Sequence, residues 1–162
     1  MKIRKVQNDD SERLIDLLEN IGWFKTLFNH SKQELTEKSG ATHLVIYLSL
    51  QPETILGGIS FSKIDKDDFC EIGFWIYPEH QRKGYCTEAI HILLDYLFLN
   101  WGLHRIQCLT HPKNIPTQKM LEKIGFMKEG VLRKYFFMNG EWVDLAMYSI
   151  LREEWDKPRY LS

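Results

Sequence analysis

The sequence predicts one mixed α/β domain over residues 1–162, α+β in class, with a mostly antiparallel sheet of about seven strands and about four flanking helices. Three observations predict it. Short β-rich runs alternate with helical stretches in the order β-α-α-β-β-β-α-β-α-β-β. A long, one-sidedly apolar helix separates two of the strand runs. Asn139-Gly140 between two extended segments near the end of the chain is a strong hairpin signal.

The elements follow in order. A short strand around Ile3 to Val6 precedes a helix whose Leu14, Leu17, Leu18 and Ile21 share one face after the polar start Asn8-Asp9-Asp10-Ser11. A second helix around Lys32 to Lys38 ends near Gly40. His43 to Leu50, Ile55 to Ile64 and Phe69 to Tyr77 form an antiparallel meander, with Gln51-Pro52-Glu53-Thr54 and Asp65-Lys66-Asp67-Asp68 as the turns. Ile90, Leu93, Leu94, Leu97, Phe98 and Trp101 repeat at helical spacing, and Gly102 stops that helix. Arg105 to Thr110 is a strand, and Asn114 to about Ile124 a helix with Asn114 as N-cap, Pro116 in the first turn and Gly125 past the end. Phe126 to Met138 and Glu141 to Leu151 close the chain as a hairpin.

Bulk properties narrow the function. An apolar content of 44% in 162 residues supports one substantial core. With 21 basic against 22 acidic side chains, no overall field draws the molecule to nucleic acid, and direct nucleic-acid binding is not expected. No apolar leader follows Met1, and Asp95 and Asn100 interrupt the most hydrophobic stretch, so a cytoplasmic, non-membrane protein is expected. Cys70, Cys86 and Cys108 lack CxxC spacing, which argues for free thiols and against a metal site. The thiols are expected to be structural, with Cys86 reacting slowly because a helix start favours a thiolate.

The most informative stretch is Gln81-Arg82-Lys83-Gly84-Tyr85-Cys86, between a strand ending at Ile76-Tyr77-Pro78 and the apolar helix that begins near Thr87. Such a junction presents unpaired N–H groups at the positive end of a helix dipole, which suits a pyrophosphate, and glycine lets the backbone approach it. Taken alone, Gly84 reads as a turn glycine beside solvated charges.

The stretch resembles the acetyl-CoA motif of the GNAT superfamily, Q/R-x-x-G-x-G/A, with Gln81 and Gly84 matching and Cys86 in place of the last small residue. Further stretches resemble the RimJ/RimL-like branch: Glu71-Ile72-Gly73-Phe74-Trp75-Ile76, Tyr85 through Ala89, Gly102-Leu103-His104-Arg105-Ile106, Pro112-x-Asn114, Leu121-Glu122-Lys123-Ile124-Gly125-Phe126, Glu129-Gly130-x-Leu132-Arg133 and Gly140-x-x-x-Asp144. The resemblance covers about half of the chain, and the first forty residues share only a helical pattern.

The resemblance implies a GNAT fold and acetyl transfer from acetyl-CoA, without a metal, to a primary amine. The favoured acceptor is a protein or peptide N-terminal α-amine; a polyamine-type small amine or a catalytically silent acyl-CoA-binding module are the alternatives, and a homodimer is left open. It places the coenzyme on residues 81 to 86 and Thr87, the pantetheine arm beside Asn114 and the phosphates near Lys119, with a backbone N–H around Ile76 and Tyr77 on the thioester carbonyl. Glu71 matches the strand glutamate that serves several members as base, and shares a strand face with Gly73 and Trp75; a salt-bridged strand glutamate is the equal alternative. Thr117 stands where RimL-like members carry a serine as acid, and reads equally as an ordinary helix residue. Asp144, His80 and His104 are weaker choices for the base. Trp23, Phe24, Phe28 and His30 fall in the region that borders the family's acceptor groove, although such aromatic spacing more often marks core.

Overall fold

A computed structural model describes residues 2–5, 41–63, 69–155 and 158–159. The two helices expected before Gly40, with Trp23, Phe24, Phe28 and His30, lie outside the described residues. The elements are β1 (Lys2–Lys5), β2 (Ala41–Leu48), β3 (Gln51–Lys63), β4 (Phe69–Ile76), a 3₁₀ turn (Pro78–His80), α1 (Tyr85–Asn100), β5 (Arg105–Thr110), α2 (Ile115–Ile124), β6 (Met127–Met138) and β7 (Glu141–Leu151). The seven strands form one sheet in the order β1-β2-β3-β4-β5-β7-β6, antiparallel throughout except for the parallel β4–β5 pair.

Period-two alternation divides the sheet into two faces. Cys70 and Ile72 of β4, Ile106 and Cys108 of β5, and Ala146, Tyr148 and Ile150 of β7 join one core with Ala89, Ile90, Leu93, Leu94, Leu97 and Phe98 of α1 and Leu121 and Ile124 of α2. Each large side chain removed from water here contributes roughly 1.5–3 kcal/mol. The opposite face carries Glu71, Gly73 and Trp75 from β4, Gln107 from β5 and Ser149 from β7, as the β4–β5 and β5–β7 registers dictate.

The hairpin turn has the geometry its residues favour, with Asn139 at φ 51° and Gly140 at φ 85°, both left-handed as a type I′ turn requires. One turn was misread from sequence. Gln51-Pro52-Glu53-Thr54 belongs to β3, and the chain reverses at Ser49-Leu50. Pro52 is tolerated because it lies at the start of the strand, where the β2–β3 register shifts between Ile46 and Leu48.

Asp95 also departs from its sequence reading as a polar interruption of the apolar stretch, since it is buried. Its carboxylate accepts hydrogen bonds from Trp155 Nε1 at 3.2 Å and from the Arg159 backbone N–H at 2.8 Å. With Trp155 packed on Phe98 at 5.2 Å between ring centroids, it fastens the segment after β7 across α1.

Candidate active site

The parallel strands β4 and β5 stay paired only from Phe69↔Arg105 to Ile72↔Cys108, after which their ladder stops. β4 nonetheless remains paired with β3 as far as Ile76↔Gly57, and the Tyr77 N–H extends that edge by donating to the Leu56 carbonyl at 3.0 Å. Backbone groups of successive residues point to opposite strand edges, so if Tyr77 faces β3, the N–H groups of Ile76 and Phe74 face the opening toward β5. This corrects the sequence reading, which gave Ile76 and Tyr77 equal standing as donors: the Tyr77 N–H is already engaged. The Ile76 carbonyl is engaged too, accepting from Gln81 Nε2 at 3.0 Å. Gln81 thus ties the loop to the strand end, and the Ile76 N–H is the donor aimed at the opening.

Two glycines on β3 fix this strand end from behind. A Cβ on Gly57 would come within 2.2 Å of the Trp75 carbonyl oxygen, and one on Gly58 within 2.7 Å of the Trp75 indole nitrogen. The strand backbone and Ile76 therefore need glycine at 57, and the Trp75 indole needs it at 58.

The loop after the 3₁₀ turn leads straight into α1. Arg82 at φ 60° and Gly84 at φ 84° are both left-handed, and no side chain caps the helix at Gly84. The first hydrogen bond of the helix runs from the Glu88 N–H to the Gly84 carbonyl at 3.0 Å, and no capping side chain serves the N–H groups of Tyr85, Cys86 and Thr87 ahead of it. A Cβ added to Gly84 would meet nothing within 4 Å among the described residues, so the glycine faces open space there. Arg82 and Lys83 are exposed beside it. An uncapped positive helix end, an open glycine and two exposed cations fit a pyrophosphate group.

Cys86 is a half-buried free thiol at the start of α1. Burial pushes the Cys86 thiol up to about 12, and the Cys70 thiol is raised to about 12 by burial and by Glu71. All three cysteines are free. A thiol reagent at neutral pH is therefore expected to label the folded protein far more slowly than the denatured chain. Rapid modification of Cys86 in the folded state would contradict this.

The start of α2 lies at the same carboxyl end of the parallel pair, where open α/β sheets bind ligands. Asn114 is the N-cap, its Oδ1 accepting from the Thr117 N–H at 3.3 Å. Thr117 is half-buried in the first turn, and Lys119 is exposed one residue past the buried Gln118. Gln118 anchors the helix: its Nε2 donates to the Pro112 carbonyl at 2.6 Å, and its Oε1 accepts from the Tyr148 hydroxyl at 3.1 Å.

Glu71 is half-buried on the face away from α1, and its Oε2 accepts from Gln107 Nε2 at 2.9 Å. A polar chain continues from there. Arg105 reaches Gln107 Oε1 at 3.4 Å and grips Glu129 with two hydrogen bonds of 2.6 and 2.7 Å, while the Ser149 hydroxyl donates to Glu129 at 2.7 Å. The Arg105 guanidinium and the Ser149 hydroxyl hold the Glu129 carboxyl down at about 2. Glu71 keeps one oxygen outside this chain of bonds among the described residues. Asp144, by contrast, is engaged by the Lys134 N–H at 2.7 Å, where Lys134 takes a left-handed φ of 48°. His80 sits in the 3₁₀ turn, and His104 is exposed before β5. Gln107 had no signal of its own in the sequence; only its register opposite Glu71 reveals it.

The described residues thus combine a seven-stranded mixed sheet, opened between two parallel strands, with an uncapped helix end beside the opening. The family model described as an acetyltransferase (GNAT) domain matches residues 2–127, and the chain belongs to that family. The uncharacterized N-acetyltransferase YnaD of Bacillus subtilis is 38% identical over 104 residues, 64% of this chain and 61% of that relative, so the match spans about three fifths of the relative's length. A putative ribosomal N-acetyltransferase of the same organism, YdaF, is 28% identical and covers 95% of this chain and 92% of its own. Among solved structures, spermidine N-acetyltransferase from Vibrio cholerae, in complex with CoA and spermine, superposes with a TM-score of 0.81 at 25% identity, covering 95% of this chain and 96% of that one. Among the described residues no helix is long and apolar enough to cross a membrane.

Proposed function

We propose that this protein transfers the acetyl group of acetyl-CoA to a primary amine, and that its acceptor is the α-amine of a protein or peptide N-terminus. The observation that carries the transfer chemistry is the end of the β4–β5 ladder at Ile72↔Cys108, which turns the Ile76 N–H toward a gap next to the open loop 81–86. The pyrophosphate would lie on the N–H groups of Tyr85, Cys86 and Thr87 with Arg82, Lys83 and Lys119 nearby, and the pantetheine arm would pass the amide of Asn114. The acyl-CoA thioester supplies an activated carbonyl. The Ile76 N–H hydrogen-bonds its oxygen and stabilises the negative charge that develops there.

Attack forms the N–C bond and breaks the C–S bond. The nitrogen must lose one proton and the departing thiolate must gain one. Glu71, five residues before Ile76 on the same strand, takes the first through a relay of waters that reaches the amine. Thr117 is the hydroxyl at the helix end for the second.

Preference for an α-amine rests on proton chemistry. Such an amine, with a pKa of about 8, is partly neutral at pH 7, whereas a lysine-like or polyamine nitrogen near ~10.4 is almost wholly charged and asks more of a remote base. The description of YdaF as a ribosomal N-acetyltransferase agrees with that choice. The spermidine enzyme of Vibrio cholerae, which matches over nearly the whole chain, supports the small-amine reading as the second choice.

Competition decides between them. Purified protein given acetyl-CoA, spermidine and short peptides with free N-termini at equal concentration should acetylate peptide with the higher kcat/KM. A higher value for spermidine overturns the acceptor assignment and leaves the coenzyme assignment standing.

A further inference from the structure

Tyr77 is 5% exposed, and among the described residues its hydroxyl has no hydrogen-bond partner. A buried hydroxyl left unmatched is destabilising, and where one persists at a site it marks the place of a group that arrives later. The ring is held firmly. It meets Trp75 edge-on at 4.7 Å between centroids and 75° between planes, and the Trp75 indole is itself wedged against Gly58. Burial and the neighbouring Glu79 raise the phenol well above its ordinary range, so it stays protonated.

Its position in the chain gives the hydroxyl a direction. Tyr77 directly follows the residue whose N–H faces the opening, and its backbone is locked to Leu56 in the β3 ladder. By the alternation of β4 its side chain emerges on the face of Glu71 and Trp75, opposite the face against which α1 packs. Coenzyme phosphates at the start of α1 and an acceptor beside Glu71 therefore approach from opposite faces of the sheet, and the phenol stands on the acceptor's side.

We propose that the Tyr77 hydroxyl binds the acceptor: it accepts a hydrogen bond from one N–H of the neutral amine and so turns the lone pair toward the carbonyl held at Ile76. This rests on the amine-acetylation reading above and adds an acceptor-binding residue to it. A neutral primary amine has two N–H donors and one lone pair, so one donor can be held without blocking attack.

The test is Tyr77→Phe, assayed with a short free N-terminus peptide and with spermidine. The variant keeps the ring contact with Trp75 and loses only an unpartnered hydroxyl. The thermal midpoint is therefore expected to hold or rise, and acetyl-CoA affinity to stay unchanged, while kcat/KM for the amine falls by roughly 10-fold or more. Wild-type turnover with unchanged kcat/KM in the variant overturns the inference, and so does a lowered midpoint, which would show the hydroxyl to be structural. If the wild type itself releases no thiol with either amine, the amine-acetylation reading fails, and this inference with it.

Discussion

Replacing Glu71 by glutamine is expected to lower kcat by on the order of 10²-fold or more while leaving acetyl-CoA affinity nearly intact. Glutamine keeps the shape of the side chain and an oxygen able to accept from Gln107 Nε2, the bond that Glu71 makes at 2.9 Å, so the sheet should not be disturbed. What disappears is the basic oxygen that lies outside the Gln107–Arg105–Glu129 chain of bonds. Glu71 lies on the face opposite α1, away from the loop proposed for the coenzyme, which is why binding and turnover should separate. Steady-state kinetics with a saturating amine, paired with a coenzyme titration, makes the check. Unaltered kcat would move the base elsewhere, and the engagement of Asp144 by the Lys134 N–H makes that carboxylate a poor successor.

Replacing Gly84 by valine is expected to weaken acetyl-CoA binding by about 10-fold or more, since every ~1.4 kcal/mol of lost interaction is a factor of ten. Two effects act together. At φ 84° a β-branched residue is strained by roughly 1–2 kcal/mol, which deforms the turn that aims the first N–H groups of α1. Its side chain would also enter the open space where no protein atom lies within 4 Å, the space a pyrophosphate needs. Because nothing among the described residues is struck, the domain should stay folded, with a modest fall in its thermal midpoint.

Local signals made much of the architecture legible. Asn139-Gly140 demands left-handed dihedrals and receives them. The strand Arg105–Thr110 begins and ends where its β-rich run does, and the glycines after α1 and α2 are left-handed, Gly102 at φ 63° and Gly125 at φ 119°. Pro52 misled because proline usually breaks a strand, and its tolerance depends on a register shift that only the paired strand reveals.

The site divides in the same way. The loop 81–86 stood out because a glycine between a strand and an apolar helix is a local pattern. Which N–H faces the opening was hidden, since it depends on where the β4–β5 ladder stops and on the Tyr77–Leu56 bond. Asp95 and Gln107 were hidden for a related reason: their partners are far away in sequence, Arg159 64 residues from Asp95 and Glu71 36 residues from Gln107. The slow reaction expected of Cys86 followed from its helix-end position, whereas its burial, which pushes the thiol up to about 12, shows only in the fold.

The most direct test of the central claim, that the loop at the head of α1 holds acetyl-CoA, is a calorimetric titration of the coenzyme into wild-type protein and into the Gly84→Val variant, both shown to be folded. Saturable binding to the wild type, weakened by about 10-fold or more in the variant, is the predicted result. Equal affinity in the two proteins would contradict it.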